Sequence, residues 1–81
     1  MFTVYALFSE KYNKIYIGYT SNLEQRILAH NELEQKGWTL KYRPWKIIYT
    51  EIHSTKEAAL KREKQLKSAK GRIFIRSLIS T

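Results

Sequence analysis

Strand-like and helix-like segments follow one another along the hydrophobic pattern of this chain. Residues 2–8 and 15–20 are rich in β-branched and aromatic side chains, which is typical of strands. The polar residues 9–14 between them indicate a hairpin loop. Residues 45–52 have the same strand-like composition, so the pattern predicts three strands.

The first helix is predicted from a capping-box pattern. Ser21 would accept a hydrogen bond from the amide of Glu24, and the Glu24 side chain would reach back to the Ser21 amide. This helix is expected to run to about Lys36 and to stop at Gly37. A loop is expected over residues 37–44.

A second capping box, from Ser54 to Glu57, predicts another helix that runs through Lys70 and ends near Gly71. A short terminal helix is expected to bury Phe74, Ile75, Leu78 and Ile79. The order ββαβαα predicts an α+β fold, in which a small three-stranded antiparallel sheet packs with helices. We expect residues 1–81 to form a single domain.

The composition excludes several kinds of chemistry. Cysteine is absent, which excludes disulfides, cysteine-bound zinc, iron–sulfur clusters and thiol catalysis. Aspartate is also absent, which excludes a Ser-His-Asp triad and the aspartate clusters that usually hold two metal ions. His30 and His53 are too few for a histidine-built zinc site. Any metal would therefore rest on glutamate and water, which suits Mg²⁺.

The apolar runs are far shorter than the ~20 residues that span a bilayer, and the N-terminus carries no secretion-signal pattern. We therefore expect a cytoplasmic protein without contact to membranes.

The net charge of +8 indicates a polyanionic partner. All of the excess lies in residues 41–81, whose first cations are interleaved with the aromatic residues Trp38, Tyr42 and Trp45. This pattern favours contact with nucleic acid over the alternative, a solvated helix face. The candidate contact residues are Lys41, Arg43, Lys46, Lys64, Lys67, Lys70 and Arg72.

Two tyrosines are predicted to share one face of the hairpin. If Phe8 pairs with Ile15, then Tyr5 lies opposite Gly18 and Tyr16 becomes a diagonal neighbour of Tyr5. A glycine at that position leaves room for a ligand or another backbone to approach. The alternative is that tyrosine is simply common in strands.

On the first helix, His30 shares a face with Leu23 and Ile27, and Arg26 is its i, i+4 neighbour. Both polar residues therefore border the face that meets the sheet. Taken alone, His30 could be a histidine at the core edge, and Arg26 a surface cation with a buried stem.

Glu63 is a carboxylate at the margin of a core. It stands three residues after Leu60 and three before Leu66, in an otherwise cationic helix. It is either a single metal ligand or an ordinary i, i+4 partner of Lys67, which would contribute only ~0.3–0.5 kcal/mol.

Together these residues resemble the GIY-YIG nuclease superfamily. The resemblance rests on Thr3-Val4-Tyr5, on Tyr16-Ile17-Gly18, and on Arg26 and His30 in the next helix. The later segments 43–45, 57–58, 62–67 and 71–72 resemble the small stand-alone bacterial branch, which is similar to the N-terminal incision domain of the excision-repair nuclease.

The resemblance implies an endonuclease that hydrolyses DNA with one divalent ion, Mg²⁺ or Mn²⁺. It makes Tyr5 and Tyr16 the motif tyrosines, one of which acts as general base or positions the attacking water. It makes Arg26 the phosphate-stabilising arginine, places His30 near the nucleophile, and makes Glu63 the protein ligand of the metal.

The sequence also departs from the family pattern. Thr3 replaces the usual glycine of the first triplet, Tyr19 stands where several relatives have lysine, and no asparagine follows Asn31. The alternative function is a non-catalytic nucleic-acid-binding domain that retains the fold. We expect a monomer or weak dimer, and a partner protein could supply the targeting that the chain lacks.

Overall fold

The computed structural model of the protein describes residues 1–33 and 37–79. The strands are β1 (Phe2–Ser9), β2 (Lys14–Thr20) and β3 (Lys46–His53), and the helices are α1 (Leu23–Leu28), α2 (Trp38–Lys41), α3 (Lys56–Lys67) and α4 (Ala69–Ser77). A π-helical turn, Ala29–Leu33, continues α1. The strands form one antiparallel sheet in the order β2-β1-β3, which confirms the predicted α+β fold.

The central strand β1 buries both of its faces. Val4, Ala6 and Phe8 point into an apolar core that α3 and α4 cover with residues such as Leu66 and Ile75. The alternate residues of β1 point to the opposite face, where Tyr5 and Leu7 pack with Trp45 beneath α1. Strand periodicity therefore gives one strand two different environments.

The hairpin register agrees with the prediction. Phe8 pairs with Ile15, and Tyr5 pairs with Gly18. Because the side-chain period of a strand is two residues, this register puts Tyr5 and Tyr16 on one face. β3 pairs along the other edge of β1, with a bulge where the register shifts between Ala6 and Leu7.

Both helix starts lie one residue later than predicted. The N-cap of α1 is Asn22, whose side chain accepts from the Gln25 amide at 3.2 Å, so the prediction of Ser21 was wrong. The N-cap of α3 is Thr55 rather than Ser54. Adjacent serine, threonine and asparagine residues have nearly equal capping free energies, so the surrounding turn decides between them.

The region after the first helix differs from the prediction. The α-helix ends at Leu28 and gives way to the π-helical turn, while residues 34–36 of the predicted helix lie outside the described residues. The segment predicted as a loop over 37–44 contains the short helix α2. Its first residue, Trp38, packs against Trp45 at a ring-centroid distance of 5.7 Å, a contact that a local pattern does not reveal.

The break between the last two helices comes at Ser68, which caps α4, and not at Gly71. A Cβ atom at Gly71 would lie 2.3 Å from the Gln65 carbonyl oxygen, so this glycine permits close packing of α4 on α3. The predicted apolar face of the terminal helix is only partly right. Ile75 is buried, whereas Phe74 and Leu78 are exposed.

No helix within the described ranges is both long and apolar enough to cross a membrane.

Candidate active site

Four of the five predicted catalytic residues line one cleft beside β2. The cleft has a volume of about 400 Å³, and its lining residues are Tyr5, Tyr16, Gly18, Tyr19, Thr20, Arg26 and Glu63. They come from β1, β2, α1 and α3, which meet at this end of the sheet. We call this site the tyrosine cleft.

Tyr5 forms the floor of the tyrosine cleft. Its side chain is almost completely buried, and its hydroxyl is hydrogen-bonded to His30 Nε2 at 3.1 Å. The same hydroxyl accepts from Arg26 Nε at 3.4 Å. Burial raises the pKa of Tyr5 to about 12, because the hydrogen bond from Arg26 only partly offsets the loss of solvation. Tyr5 is therefore protonated at neutral pH.

Arg26 keeps its positive charge beside both tyrosines. Its pKa is raised, first by the hydrogen bond to Tyr5 and further by the Tyr16 hydroxyl, against the opposing effect of burial. The guanidinium thus provides a permanent cation at the wall of the tyrosine cleft. Such a group is suited to hold an anion.

The absence of a side chain at Gly18 leaves room for the rings of Tyr5 and Tyr16. A Cβ atom at this position would lie 2.8 Å from the Tyr5 hydroxyl oxygen and 3.1 Å from Tyr16 Cε1. Any larger side chain would push the Tyr5 hydroxyl away from its partners. The requirement for glycine here is therefore steric and follows from the strand register.

His30 supports the tyrosine cleft from behind. It is fully buried in the π-helical turn, and its ring packs edge-on against Tyr16 at a centroid distance of 4.7 Å. Its hydrogen bond to the cleft is with the Tyr5 hydroxyl. π-Helical turns occur often at functional sites, because they re-aim one side chain.

Glu63 reaches the tyrosine cleft from α3. Its side chain has 15% of its surface exposed and forms an ion pair with Lys67 at 3.6 Å. No group of three or more histidine or acidic side chains gathers within residues 1–33 and 37–79. Within the described residues, this cleft therefore contains one carboxylate that a metal can bind, that of Glu63.

Arg43 and Lys46, two of the predicted nucleic-acid-binding cations, bond to protein groups outside α3 and α4. Arg43 is half-buried and donates to the carbonyl oxygens of Ala29 and His30, which ties the segment before β3 to the π-helical turn. Lys46 forms an exposed ion pair with Glu10 at 3.3 Å. Their contact with nucleic acid remains a prediction.

The other predicted cations lie on the helices. Lys67 and Arg72 line a groove next to the tyrosine cleft, and Lys70 lines a different groove between α3 and α4. Lys64 is exposed on α3, and Lys41 lies beside the ring of Tyr42 at the end of α2. The structure thus brings two of these seven cations next to the cleft.

Thr20 lines the tyrosine cleft but was not among the predicted residues. Its hydroxyl is hydrogen-bonded to the backbone of Asn22, which fixes the turn from β2 into α1. A threonine two residues before a cap residue is the signal that could have identified it.

A second polar cluster, the β3–α3 cluster, consists of Tyr49, Glu51, His53 and Arg62. The Glu51 carboxylate accepts from the Tyr49 hydroxyl, from Arg62 Nε at 3.1 Å, and is paired with His53 Nε2 at 2.6 Å. Burial opposes ionisation of Glu51, but these three hydrogen bonds outweigh it and hold its pKa below the ordinary value. Sequence reasoning did not identify this cluster.

Known proteins resemble this chain in sequence. A UPF0213 protein of Staphylococcus haemolyticus is 40% identical over 58 residues, which cover 72% of this chain and 71% of the relative. A UPF0213 protein of Staphylococcus saprophyticus is 38% identical over the same shares. One of Natronomonas pharaonis is 37% identical over 54 residues, 67% of this chain and 64% of that protein. No solved structure matches the chain.

The family model described as the GIY-YIG catalytic domain matches residues 1–75. This match spans β1, β2, α1 and α3, the elements that carry Tyr5, Tyr16, Arg26 and Glu63. The chain therefore belongs to the GIY-YIG nuclease family.

Proposed function

We propose that the protein is a metal-dependent endonuclease that hydrolyses phosphodiester bonds in DNA. The observation that carries this proposal is the convergence of Arg26, Glu63 and two tyrosine hydroxyls on one open cleft. A phosphodiester is an anion, so a substrate for this cleft is attracted both by Arg26 and by the net charge of +8.

Arg26 stabilises the negative charge that develops on the phosphorus oxygens. Its raised pKa keeps it cationic throughout the neutral range. Its link to the buried Tyr5 hydroxyl restricts its orientation before substrate arrives. A preoriented donor contributes more than a mobile one, because it does not have to reorganise in the transition state.

The two tyrosines have different roles. Tyr5 is held between His30 and Arg26, and with a pKa of about 12 it is a poor base. It acts by positioning Arg26. Tyr16 is less buried and lines the same cleft, so it is the tyrosine that orients the attacking water.

The donor set fits one Mg²⁺ or Mn²⁺ ion. Glu63 and the tyrosine hydroxyls provide hard oxygen atoms, and the carboxylate already attracts one cation, Lys67. Glu63 would hold the ion, with water and substrate oxygens as the other ligands. When bound, such an ion supplies positive charge for the leaving oxygen.

The test compares Mg²⁺-dependent nicking of supercoiled DNA by the wild type, Glu63→Ala and Glu57→Ala. Glu57 is the matched control, because it is exposed in the first turn of the same helix. We expect Glu63→Ala to lower nicking at least about a hundredfold, while Glu57→Ala nicks like the wild type. DNA binding by Glu63→Ala should be retained or tighter, since a negative charge is lost beside the phosphate.

Nicking by Glu63→Ala at the wild-type rate would refute the metal assignment. A wild type that binds DNA but cleaves it in neither Mg²⁺ nor Mn²⁺ would favour the non-catalytic alternative.

A further inference from the structure

A second groove adjoins the tyrosine cleft and has a volume of about 540 Å³. Four cations line it, together with two aromatic and two aliphatic side chains, and no acidic residue is among them. The lining residues are Lys14, Ile15, Tyr16, Ile17, Trp38, Lys67, Arg72 and Arg76. We call it the basic groove, and its volume is within the range of small-ligand sites, about 300–1,000 Å³.

The basic groove lies next to the tyrosine cleft. Tyr16 lines both of them. Lys67 in the groove forms an ion pair with Glu63 in the cleft at 3.6 Å. A DNA strand that presents one phosphate to Arg26 would therefore present the neighbouring nucleotide to the basic groove.

The cations of the groove are partly held in place. Arg76 donates to the side chain of Asn13 at 2.9 Å and to its carbonyl oxygen at 3.2 Å. Arg72 Nε donates to the Lys67 carbonyl oxygen at 3.2 Å. Neither contact neutralises the positive charge, because neither partner is an anion. Like charges that are gathered in this way favour binding of a polyanion.

Trp38 gives the groove an aromatic surface. About half of the Trp38 surface (49%) is exposed. Its ring also packs near the rings of Tyr16 and Trp45, at centroid distances of 6.4 and 5.7 Å. The ring is thus supported by the protein and still accessible. Single exposed aromatic residues are common, but one that is supported by the protein and lines a groove together with four cations is typical of a base-stacking site.

We propose that the basic groove binds the nucleotide next to the scissile phosphate. Trp38 stacks on the base, and the four cations contact the sugar–phosphate backbone on that side of the cleavage position. This inference rests on the proposed nuclease function, and it adds Lys14, Trp38 and Arg76 to the residues expected to contact the substrate.

The test measures binding of a fluorescein-labelled oligodeoxynucleotide in EDTA, where metal-dependent cleavage does not interfere. We expect Trp38→Leu to weaken binding about tenfold, and Trp38→Phe to retain most of it, since a phenyl ring also stacks. Binding should quench the tryptophan emission of the wild type. In Trp38→Phe the remaining tryptophan, Trp45, is buried, so this quenching should be lost.

The salt dependence of binding tests the cations. If ~5 phosphates are engaged, log K should fall with log[salt] with a slope near −4, and Arg72→Ala should make this slope shallower by about 0.7–0.9. Lys61→Ala is the control, because Lys61 is exposed on α3 outside the groove. The salt slope of this variant should equal that of the wild type.

Two results separate this inference from the proposed function. If the wild type nicks DNA, while Trp38→Leu and Arg72→Ala bind with wild-type affinity and slope, the basic groove is not a nucleotide site and the nuclease proposal stands. A wild type that neither binds nor nicks DNA overturns both. Circular dichroism of each variant shows whether it is folded, and Trp38→Phe keeps the test decisive if Trp38→Leu unfolds.

Discussion

The tyrosine cleft, taken together with His30 behind it, has the same polar residue types as the β3–α3 cluster: tyrosine, arginine, histidine and glutamate. In the β3–α3 cluster, Tyr49, His53 and Arg62 all bond to one carboxylate, that of Glu51. In the tyrosine cleft, Glu63 forms an ion pair with Lys67 at the edge of an open volume of about 400 Å³.

The difference lies in what remains available to a ligand. Glu51 is bonded to three donors, which lower its pKa, and the bond from Arg62 links β3 to α3. The groups of the cleft instead line an open volume of about 400 Å³. Residue type alone thus does not separate a structural cluster from a candidate active site. What separates the two is the direction in which the polar groups point.

Arg26 of the cleft and Arg62 of the β3–α3 cluster should differ most in the effect of their removal. We expect Arg26→Ala to lower turnover at saturating DNA by about 10²–10³, because it removes a preoriented cation from the cleft. Arg62→Ala should leave turnover unchanged and lower the free energy of unfolding by about 1 kcal/mol, because it removes a partly exposed ion pair with Glu51. Nicking rates and urea titrations check both, and equal loss of turnover in the two variants would contradict the distinction.

Gly18→Ala tests whether the cleft depends on the position of its floor. The added Cβ would lie 2.8 Å from the Tyr5 hydroxyl oxygen. We expect a loss of stability of about 1–3 kcal/mol and a loss of turnover of about a hundredfold, since small displacements of reacting groups are costly. Gly37→Ala is a control for glycine replacement outside the cleft, although its φ of 106° adds backbone strain. Wild-type turnover in Gly18→Ala would show that Tyr5 need not be fixed.

The tyrosines should respond differently to loss of one hydroxyl. Tyr16→Phe should lower turnover about tenfold to a hundredfold with an unchanged melting temperature. Tyr5→Phe should lower turnover and also cost about 1–3 kcal/mol of stability, because it leaves the buried His30 Nε2 without this partner. Tyr49→Phe, in the β3–α3 cluster, should leave turnover unchanged. Full activity in both cleft variants would mean that these tyrosines only build the sheet.

The smallest expected effect is the pH dependence of the stability that the β3–α3 cluster contributes. The folded-state pKa of Glu51 is below its ordinary value, so its contribution to stability is present above the unfolded pKa of about 4.3 and is lost as pH falls through the folded pKa. The stability difference between the wild type and Glu51→Gln should therefore be larger at pH 6 than at pH 3. Denaturant titrations at the two pH values measure it, and a difference that does not change with pH would contradict this role.

Much of the cleft could be predicted from the sequence, because it depends on strand periodicity. The hairpin register follows from apolar positions at a period of two, and it brings Tyr5, Gly18 and Tyr16 together. The face of the first helix likewise puts Arg26 toward the sheet, and His30 reaches the same side from the π-helical turn that continues this helix. These are local patterns of repeating geometry.

The remaining features required the tertiary structure. The helix caps were misplaced by one residue, since neighbouring polar residues cap about equally well. After the helix break at Ser68, Gly71 of α4 approaches α3 closely, which is a contact between two elements. The position of Trp38 in the basic groove likewise depends on Trp45, seven residues later.

The sequence by itself determined which residue types were present, the strands and their register, and thereby the pair of tyrosines and the family. The tertiary structure decided which glutamate and arginine bond to each other and which line the cleft. The physical reason is that hydrogen-bond saturation depends on distances between side chains from different elements. Glu51 and Arg62 meet across β3 and α3, whereas Arg26 and Glu63 face a cleft, and no spacing along the chain encodes that difference.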